Sequence, residues 1–371
     1  MFFLIALNHP AHYHLFKYFR TEMIKRQHKV VFILKDKEIL GHLLDAEGVD
    51  YVKLIEKRYL RNKKFSIIKT NITELIKSDM LLYNYIKAAK PNFLLGTDVS
   101  ISHISAITKI PSFVFNEDDI EINKLFCYST YPFTTYIISP GICNVGSFDY
   151  KRIKYDGYQK LAYLHPNCFT PNFNLLSARF RGNKKNFIIR MVSFTAGHDI
   201  EQKHSGISER LLDKLIDKLK NHGQIYISSE KEIPEKYSVY KLDINHKDIH
   251  HYLAMTDIFI SDSQSMTVEA CMLGTPSIRF NSFAGKISVL NELETKYQLT
   301  HSYHIDDETN FLQKCEELLS TFDLKSIYQT RRIKMLNDKI DLTAFLIWLF
   351  ECYPDSIKKL KINSEIQNQF K

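Results

Sequence analysis

The feature that most constrains the fold is the regular alternation of short β-rich runs with helical stretches, which begins at the first residues of the chain. Parallel strands need a helical crossover between them, so this alternation predicts a parallel α/β sheet. The clearest helical patterns of the first half are His12–Arg26 and Phe65–Ala88. Its predicted strands are Phe2–Leu7, Val30–Leu34, Tyr51–Ile55, Phe93–Gly96, Ser112–Phe115, Tyr136–Ser139 and Ile153–Asp156.

A change of composition near the middle of the chain predicts a domain boundary. Gly157, Pro166, Pro171 and the loop Arg181–Asn183 interrupt the alternation, as is typical of a linker. The alternation then restarts, with predicted strands Phe187–Val192, Ile225–Ser229, Val239–Leu242, Ile258–Ser261 and Ser277–Phe280 and helices Ile207–Asn221, Asp248–Met255 and Ser265–Leu273. We therefore expect two tandem Rossmann-like domains that face a cleft. Their predicted bounds are 1–162, a linker 163–185, 186–322, and C-terminal helices 323–371 that partly return to the first domain.

The composition favours a soluble globular protein of the cytoplasm. The chain has 371 residues, enough for two domains, and its 44% hydrophobic and 25% charged residues are typical of a globular protein. Its six cysteines form no CxxC pair, which favours reduced thiols over a zinc site or a disulfide framework. The apolar start Met1–Leu7 lacks a basic leader, and no apolar run reaches roughly 18 residues, so we predict neither a secretory signal nor a membrane span.

The formal net charge of +8 indicates attraction to anions. Two anionic partners fit: a nucleotide diphosphate, and the inner face of a membrane against which the protein would lie peripherally. The lysines are scattered over predicted helices and form no basic stripe with interleaved aromatic residues, so we expect no nucleic-acid partner. The sequence carries no signal for an oligomeric state.

The most informative segment is Ile258–Pro276, in which an apolar strand runs into a small polar loop and then a helix that stops at Gly274. Ligands of parallel sheets bind beyond the carboxyl ends of the strands, and the N–H groups at a helix start attract a diphosphate. Glu269 lies one turn beyond Ser265, where a carboxylate can accept hydrogen bonds from ribose hydroxyls. The alternative is helix capping by Ser263 or Ser265, with Glu269 as a surface charge.

This segment resembles the donor-nucleotide motif of the glycosyltransferase superfamily with two Rossmann domains, the GT-B type. It equally resembles the matching segment of the non-hydrolysing UDP-N-acetylglucosamine 2-epimerases, which share that fold. The resemblance implies that Glu269 holds the ribose and that the diphosphate is held by the helix start, Ser263, Gln264, Ser265, Met266 and Thr267. Further donor contacts are expected from Ser193, Ser228, Ile249 and Arg190, whose cation would stabilise the leaving diphosphate.

A second resemblance covers the chain from the first strand to Pro276. The stretches Asn8–Lys17, Tyr155–Pro166, Arg190–Phe194, His198–Ile200 and Ile227–Glu232 occur in the order found in an uncharacterised bacterial and archaeal family. That family is a domain of unknown function described as predicted glycosyltransferases. The resemblance implies the two-Rossmann fold, and it implies little about the substrate.

Histidines cluster after the first predicted strand. His9, His12 and His14 lie where two-Rossmann glycosyltransferases often have a general base, and a neutral imidazole takes a proton near neutral pH. We therefore assign His12 and His14 as candidate catalytic residues. The alternative is that they cap the first helix or pack within the fold. Three histidines without a paired acidic ligand do not make a convincing metal site, so no metal is expected.

Two carboxylates also follow apolar strand ends, Asp98 and Glu117. Each is a candidate acid or base, and the alternative is N-capping of the next helix, for which Asp98 is well placed. In the epimerases, acidic residues at comparable strand ends and a histidine early in the second domain carry the chemistry. By that resemblance the corresponding set here is Asp98, Glu117, Glu121 and His198. Two departures weaken it, because His9 replaces the opening arginine and Gln264-Ser265 replaces the glycine-rich loop.

These observations lead to three hypotheses. The first is a metal-independent glycosyltransferase that needs no cofactor and moves a sugar from a nucleotide-sugar, expected to be UDP-linked, to a glycan or lipid-linked acceptor. That acceptor is expected to be a precursor of a cell-surface polysaccharide or glycolipid, such as capsule or lipopolysaccharide. The second is a UDP-N-acetylhexosamine 2-epimerase, and the third is a binding protein without catalysis. The twelve glycines form no GxGxxG or GxxxxGK motif, which argues against dehydrogenases and P-loop enzymes.

Overall fold

The computed structural model describes residues 1–35, 38–55, 67–192, 206–229 and 232–371. These residues divide into two compact units. The first unit contains Met1–Tyr163 and Ile340–Lys371, and the second contains Leu164–Lys339. Each unit has its own parallel sheet, so the predicted α/β class with two Rossmann-like domains is confirmed.

The first sheet has seven parallel strands. They are β1 (Phe2–Leu7), β2 (Lys29–Lys35), β3 (Tyr51–Ile55), β4 (Phe93–Gly96), β5 (Ser112–Phe115), β6 (Tyr136–Pro140) and β7 (Arg152–Tyr155). They pair in the order β3-β2-β1-β4-β5-β6-β7, so the direction of winding changes between β1 and β4. A ligand is expected beyond the carboxyl ends of the strands at such a point.

The second sheet has five parallel strands. They are β8 (Lys185–Met191), β9 (Gly223–Ser229), β10 (Ile258–Ser261), β11 (Ser277–Phe280) and β12 (Thr300–Tyr303). They pair in the order β12-β11-β10-β8-β9, which puts β10 at the centre of the sheet with β8 beside it.

The helices cover both faces of these sheets, which is why all six residues of β1 are buried. In chain order they are α1 (Pro10–Lys25), α2 (Glu38–Ala46), α3 (Ile67–Ala89), α4 (Val99–Thr108), α5 (Lys124–Thr130), α6 (Leu161–Leu164), α7 (Glu209–Leu219), α8 (Ile249–Met255), α9 (Gln264–Leu273), α10 (Ser288–Thr295), α11 (Glu308–Ser320), α12 (Leu324–Asp338), α13 (Leu342–Glu351) and α14 (Asp355–Ile362). Within the described ranges, no helix is both long enough and apolar enough to cross a membrane.

The C-terminal segment packs on the first sheet through aromatic side chains. The ring of Phe350, on α13, lies 4.8 Å from that of Phe113, 5.6 Å from that of Phe3 and 5.7 Å from that of Phe93 (centroid distances). Aromatic side chains bury large apolar areas, so this cluster fixes α13 to the strands. The terminal helices therefore complete the core of the first unit.

The segment after residue 322 is divided between the units. Helix α12 belongs to the second unit, and the returning chain begins at Ile340. The side-chain amide of Gln329, on α12, donates hydrogen bonds to the carbonyl oxygens of Leu273 (2.9 Å) and Gly274 (3.2 Å). These bonds satisfy carbonyl groups at the C-terminal end of α9, which explains why α12 stays with the second unit.

The predicted strand Val239–Leu242 is reduced to an isolated parallel bridge between Lys241 and Ile227 of β9, and one strand was not predicted. Residues Glu235–Tyr240 form a 3-10 helix where the β-branched and aromatic pattern favoured a strand at Val239–Leu242. Tyr237 is buried there and its hydroxyl donates to Asp213 Oδ1 (2.6 Å), so tertiary contacts overrode the local propensity. Strand β12 was missed because Thr300–Tyr303 reads as a polar segment.

Candidate active site

The start of α9 lies at the carboxyl end of the central strand of the second sheet. Ser263 caps this helix, since its hydroxyl accepts the N–H of Met266 (3.3 Å). Within the described part of the chain, the N–H groups of Gln264 and Ser265 have no hydrogen-bond acceptor. The helix dipole adds partial positive charge at this end. The helix start can therefore bind an anion.

Asp262 joins this loop to the neighbouring strand. Only 2% of the residue is exposed, and its carboxylate accepts the N–H groups of Val192 (2.8 Å) and Ile207 (3.3 Å). A Cβ on Gly206 would lie 2.3 Å from Asp262 Oδ2, so only glycine fits at that position. Burial raises the pKa of Asp262 to about 6 despite these donors. No role was predicted for this residue, and its contacts show a structural one.

Two predicted donor-binding residues lie together at the same edge. Arg190, near the end of β8, pairs in register with Ser228 on β9 and with Ser261 on β10. Its Nη1 donates to Ser228 Oγ (2.9 Å). The register with β10 puts a guanidinium beside the strand that leads into α9. Ser193 and His198 lie outside the described residues.

Glu269 is not a surface charge. It lies on α9 with 6% of its surface exposed, and its Oε1 is 3.4 Å from Nε2 of His250 on α8. The ring of Phe169 lies 6.2 Å from that of His250 and 4.8 Å from that of His251. Ile249, half-buried, is the first residue of α8. A buried carboxylate held by an imidazole is a fixed acceptor, as ribose recognition requires.

In the first unit, the histidines occupy the start of α1 and not a loop. His9 is the N-cap residue, and its Nδ1 accepts the N–H of Ala11 (3.2 Å). His12 and His14 are two helical positions apart, so their side chains point in nearly opposite directions. The ring of His14 packs 5.2 Å from that of Tyr163. The two histidines therefore cannot serve the same reacting atom.

The hydrogen bond of His12 fixes its neutral form. His12 Nδ1 accepts the backbone N–H of Asn8 (3.2 Å). A neutral imidazole that accepts at Nδ1 has its proton on Nε2, and is then a donor at that nitrogen. Such a ring stabilises developing negative charge better than it removes a proton. The hydrogen bond from Asn8 therefore argues against the predicted role of His12 as a base.

Asp98 caps α4, which was the alternative given for it above. Its Oδ1 accepts the N–H of Ile101 (3.1 Å), and its Oδ2 accepts a hydrogen bond from Asn8 Nδ2 (2.8 Å). The end of β4 approaches β1 closely, since a Cβ on Gly96 (φ 141°) would lie 2.5 Å from the carbonyl oxygen of Ala6. Asn8 and Asp98 are therefore neighbours across the change of winding direction.

Glu117 follows β5 and pairs with a buried lysine. Its Oε1 forms an ion pair with Lys160 Nζ, and the side chain of Lys160 is only 3% exposed. Among the described residues, the buried Oε2 of Glu117 has no hydrogen-bond donor. By contrast, Glu121 is exposed and accepts from Asn144 Nδ2 (2.7 Å). Glu117 is therefore half-buried after a strand end and is held in an ion pair.

The residue after Glu117 is a carboxylate for which no role was predicted. Asp118 is half-buried, and no described residue donates a hydrogen bond to its carboxylate. Burial raises the pKa of Asp118 to about 6, the negative charges of Glu117 and Asp119 raise it further, and Lys160 opposes them. Its only sequence signal is its place in the polar run directly after β5. Perturbed carboxylates at strand ends are candidates for acid–base chemistry.

With this geometry established, the chain can be compared with known proteins. No protein-family model and no curated protein matches it. Among solved structures it is similar to MnaA of S. aureus, determined with UDP, at a TM-score of 0.69 and 11% identity, covering 96% of this chain and 98% of that one. It is similar to a putative UDP-N-acetylglucosamine 2-epimerase from Listeria monocytogenes at a TM-score of 0.68 and 10% identity, covering 98% and 96%.

The third comparison is with the glycosyltransferase SsfS6 of Streptomyces sp. SF2575, complexed with thymidine diphosphate. Its TM-score is 0.59 at 12% identity, covering 95% of this chain and 99% of that one. The chain therefore has, over nearly its whole length, the two-Rossmann fold shared by GT-B glycosyltransferases and 2-epimerases. The fold relation predicted from the sequence is confirmed.

Proposed function

We propose that this chain is a glycosyltransferase that uses a nucleotide-sugar, with UDP as the expected nucleotide. The observation that carries this proposal is the edge of the second sheet, where Arg190, the start of α9 and buried Glu269 combine. A guanidinium and unengaged helix N–H groups suit a diphosphate, and a fixed carboxylate suits the ribose. Similar structures determined with UDP and with thymidine diphosphate support a nucleotide ligand.

In the proposed reaction, the sugar moves to a hydroxyl group of a polysaccharide or glycolipid precursor. The acceptor oxygen bonds to the anomeric carbon, whose bond to the diphosphate breaks, and the electron pair leaves on the phosphate oxygen. Arg190 and the α9 N–H groups stabilise that developing charge, so the reaction needs no metal. The formal charge of +8 would favour peripheral binding to an anionic membrane face that displays lipid-linked acceptors.

A second candidate is a UDP-N-acetylhexosamine 2-epimerase, and one observation favours it. The first unit has three carboxylates at the ends of two adjacent strands, Asp98 after β4 and Glu117 and Asp118 after β5. Elimination and re-addition of a nucleotide need both an acid and a base, which two such carboxylates can provide. Transfer to an acceptor needs one base.

Two measurements test these proposals. Calorimetry with UDP, thymidine diphosphate and GDP should detect binding that is weakened in Glu269→Gln. Incubation with UDP-sugars alone and with acceptors then separates the reactions, because an epimerase interconverts donors unaided. Nucleotide binding without either reaction would favour a binding protein, and the absence of any nucleotide binding would contradict both enzymatic proposals.

A further inference from the structure

Buried polar atoms without a described hydrogen-bond partner occur on Glu117, on Tyr155, whose pKa the Glu117 charge raises, and on Gln159, the residue before the ion-pair partner Lys160. Tyr155, at the end of β7, is fully buried, and its hydroxyl has no partner within the described part of the chain. The same holds for Oε2 of Glu117 and for Nε2 of Gln159, which is 8% exposed. Burial and the nearby Glu117 carboxylate raise the pKa of Tyr155 well above its usual range, so its hydroxyl stays protonated. Buried polar groups are almost always satisfied, so these atoms indicate a ligand or ordered water.

The chemistry of these atoms suits hydroxyl groups. Tyr155 and Gln159 offer donors, whereas Glu117 offers an acceptor. A hydroxyl both donates and accepts, so it can satisfy such a mixed set. A phosphate only accepts, and the carboxylates of Glu117 and Asp118 would repel it.

Asp118 follows Glu117 directly, and hydrogen bonds fix its backbone. The side chain of Asn116 holds its backbone from both sides: Asn116 Oδ1 accepts the Asp118 N–H (3.1 Å), and Asn116 Nδ2 donates to the Asp118 carbonyl (3.3 Å). Asn116 is itself anchored by Nδ2, which donates to the hydroxyl of Tyr131 (2.8 Å). These two hydrogen bonds from Asn116 fix the backbone of Asp118 and leave its carboxylate without a described donor. A positioned and unengaged carboxylate is what a proton acceptor requires.

We propose that Asp118 is the catalytic base, with Glu117, Tyr155 and Gln159 binding the hydroxyl groups of its substrate. The inference rests on the proposed function and assigns its proton-transfer step. In that step the acceptor O–H bond breaks and the proton moves to the Asp118 carboxylate. The oxygen's electron pair forms the bond to the anomeric carbon as the diphosphate leaves with its own pair.

The groups around Asp118 determine when it can act. Glu117 and Asp119 disfavour its charged form, and Lys160 favours it. The thiols of Cys127 and Cys143 also face it, and burial raises the pKa of each, so both stay neutral. With its own pKa raised to about 6, Asp118 is ionised at neutral pH and still basic enough to take a proton.

The other candidates in the first unit are less suited to this step. The proton of neutral His12 lies on Nε2, Asp98 accepts bonds from Ile101 and Asn8, and Glu117 is paired with Lys160. Each of these groups is already engaged by another part of the fold.

The test compares Asp118→Asn with a matched control one residue away. Asp119→Asn removes the same charge, and its side chain keeps an oxygen to accept the N–H of Asn144, as Asp119 Oδ1 does at 2.7 Å. We expect Asp118→Asn to lower kcat by roughly a hundredfold or more, with UDP binding unchanged, and Asp119→Asn to keep most of the turnover. The wild-type kcat/KM should rise with pH through about 6, and this rise should disappear in Asp118→Asn.

A stability measurement provides a readout independent of turnover. Above pH 7 the Asp118 carboxylate is charged and poorly solvated, so Asp118→Asn should raise Tm at pH 8, with a smaller gain at pH 5. Full turnover of Asp118→Asn in an active enzyme would overturn the inference, and so would an equal loss in Asp119→Asn. A wild-type protein that binds no nucleotide and turns over no sugar would instead overturn the proposed function, and the inference with it.

Discussion

Asp118 in the first unit and Asp262 in the second are carboxylates that follow strand ends and have opposite surroundings. Each follows a buried strand, β5 or β10, and burial raises the pKa of each to about 6. Asp262 accepts backbone N–H groups from Val192 and Ile207, whereas no described donor reaches the carboxylate of Asp118. A shifted pKa therefore does not distinguish a structural carboxylate from a reactive one, and the hydrogen bonds do.

The same contrast extends along the carboxyl ends of the strands in the two sheets. These are the first edge, in the first unit, and the second edge, in the second unit. The second edge combines a guanidinium and a helix start, which suit the binding of an anion, with carboxylates that already have partners in the fold. The first edge combines carboxylates with buried polar atoms that lack described partners, which suits proton transfer and hydroxyl recognition. The proposed roles are therefore ligand binding for the second edge and proton transfer for the first. Four substitutions test this division.

The largest expected effect is on stability, in Asp262→Ala. The substitution leaves two partly buried N–H groups without acceptors. At about 1–3 kcal/mol each, the free energy of unfolding should fall by roughly 2–6 kcal/mol. Asp118→Ala is the matched variant, and it should cost little because no described N–H group depends on it. Urea unfolding at pH 8 measures both. Equal losses of stability would show that the hydrogen bonds to Asp262 do not distinguish it from Asp118.

Lys160→Met should follow, at about 3–5 kcal/mol, because it leaves the buried carboxylate of Glu117 without its counter-ion. The double variant Lys160→Met/Glu117→Gln removes both charges and should recover most of the loss. Denaturant unfolding of the single and double variants measures this coupling. A double variant as unstable as Lys160→Met would mean that the unpaired charge of Glu117 is not the cause of the loss.

The elements that the sequence predicted well are those with strong apolar patterns. Strands β1, β3, β4, β5, β10 and β11 have the predicted bounds. For β1, β4, β5 and β10 the reason is a short, largely apolar run whose burial is settled by local sequence. Residues 235–240 and 300–303 were misread because the contacts that decide their structure come from distant segments, as for Tyr237 with Asp213. Periodicity carries no information about such contacts.

The site was predicted less completely than the fold, for a related reason. The motif around Ser263 and Glu269 was visible because helix capping and helical spacing are local properties. Lys160 and Tyr155 act through Glu117, some forty residues away in sequence, so no spacing rule could pair them. Asp118 gave a weak signal, since a run of acidic residues after a strand is usually a solvated loop.

Glu269→Gln should have the third largest effect, on nucleotide binding. A neutral amide keeps the shape but loses the charged acceptor, so the affinity for UDP should fall by about 1.5–3 kcal/mol. Because Glu269 is buried beside His250, Glu269→Ala should also lower stability, which makes glutamine the cleaner substitution. Asp118→Asn is the control, with UDP affinity expected to be unchanged. Calorimetry that finds equal UDP affinity in wild type and Glu269→Gln would remove Glu269 from the donor site.

The smallest expected effect concerns Asp98, whose Oδ1 caps α4 by accepting the N–H of Ile101. Asp98→Ala removes this cap and should cost about 1 kcal/mol, whereas Asp98→Asn keeps an oxygen for it. Asparagine can also be accommodated where Asp98 Oδ2 contacts the side chain of Asn8. Asn8 Oδ1 has no partner among the described residues, so its amide can turn to accept from the new Nδ2, with loss of the longer bond that Asn8 Nδ2 donates to the Thr97 carbonyl (3.2 Å).

If Asp98 only caps the helix, Asp98→Asn should therefore keep both its free energy of unfolding and its turnover, while Asp98→Ala loses only stability. Urea unfolding and turnover on the same samples separate these cases. A hundredfold loss of turnover in Asp98→Asn at unchanged stability would assign the proton transfer to β4 and Asp98. Asp118 would then be a carboxylate without a role in the reaction.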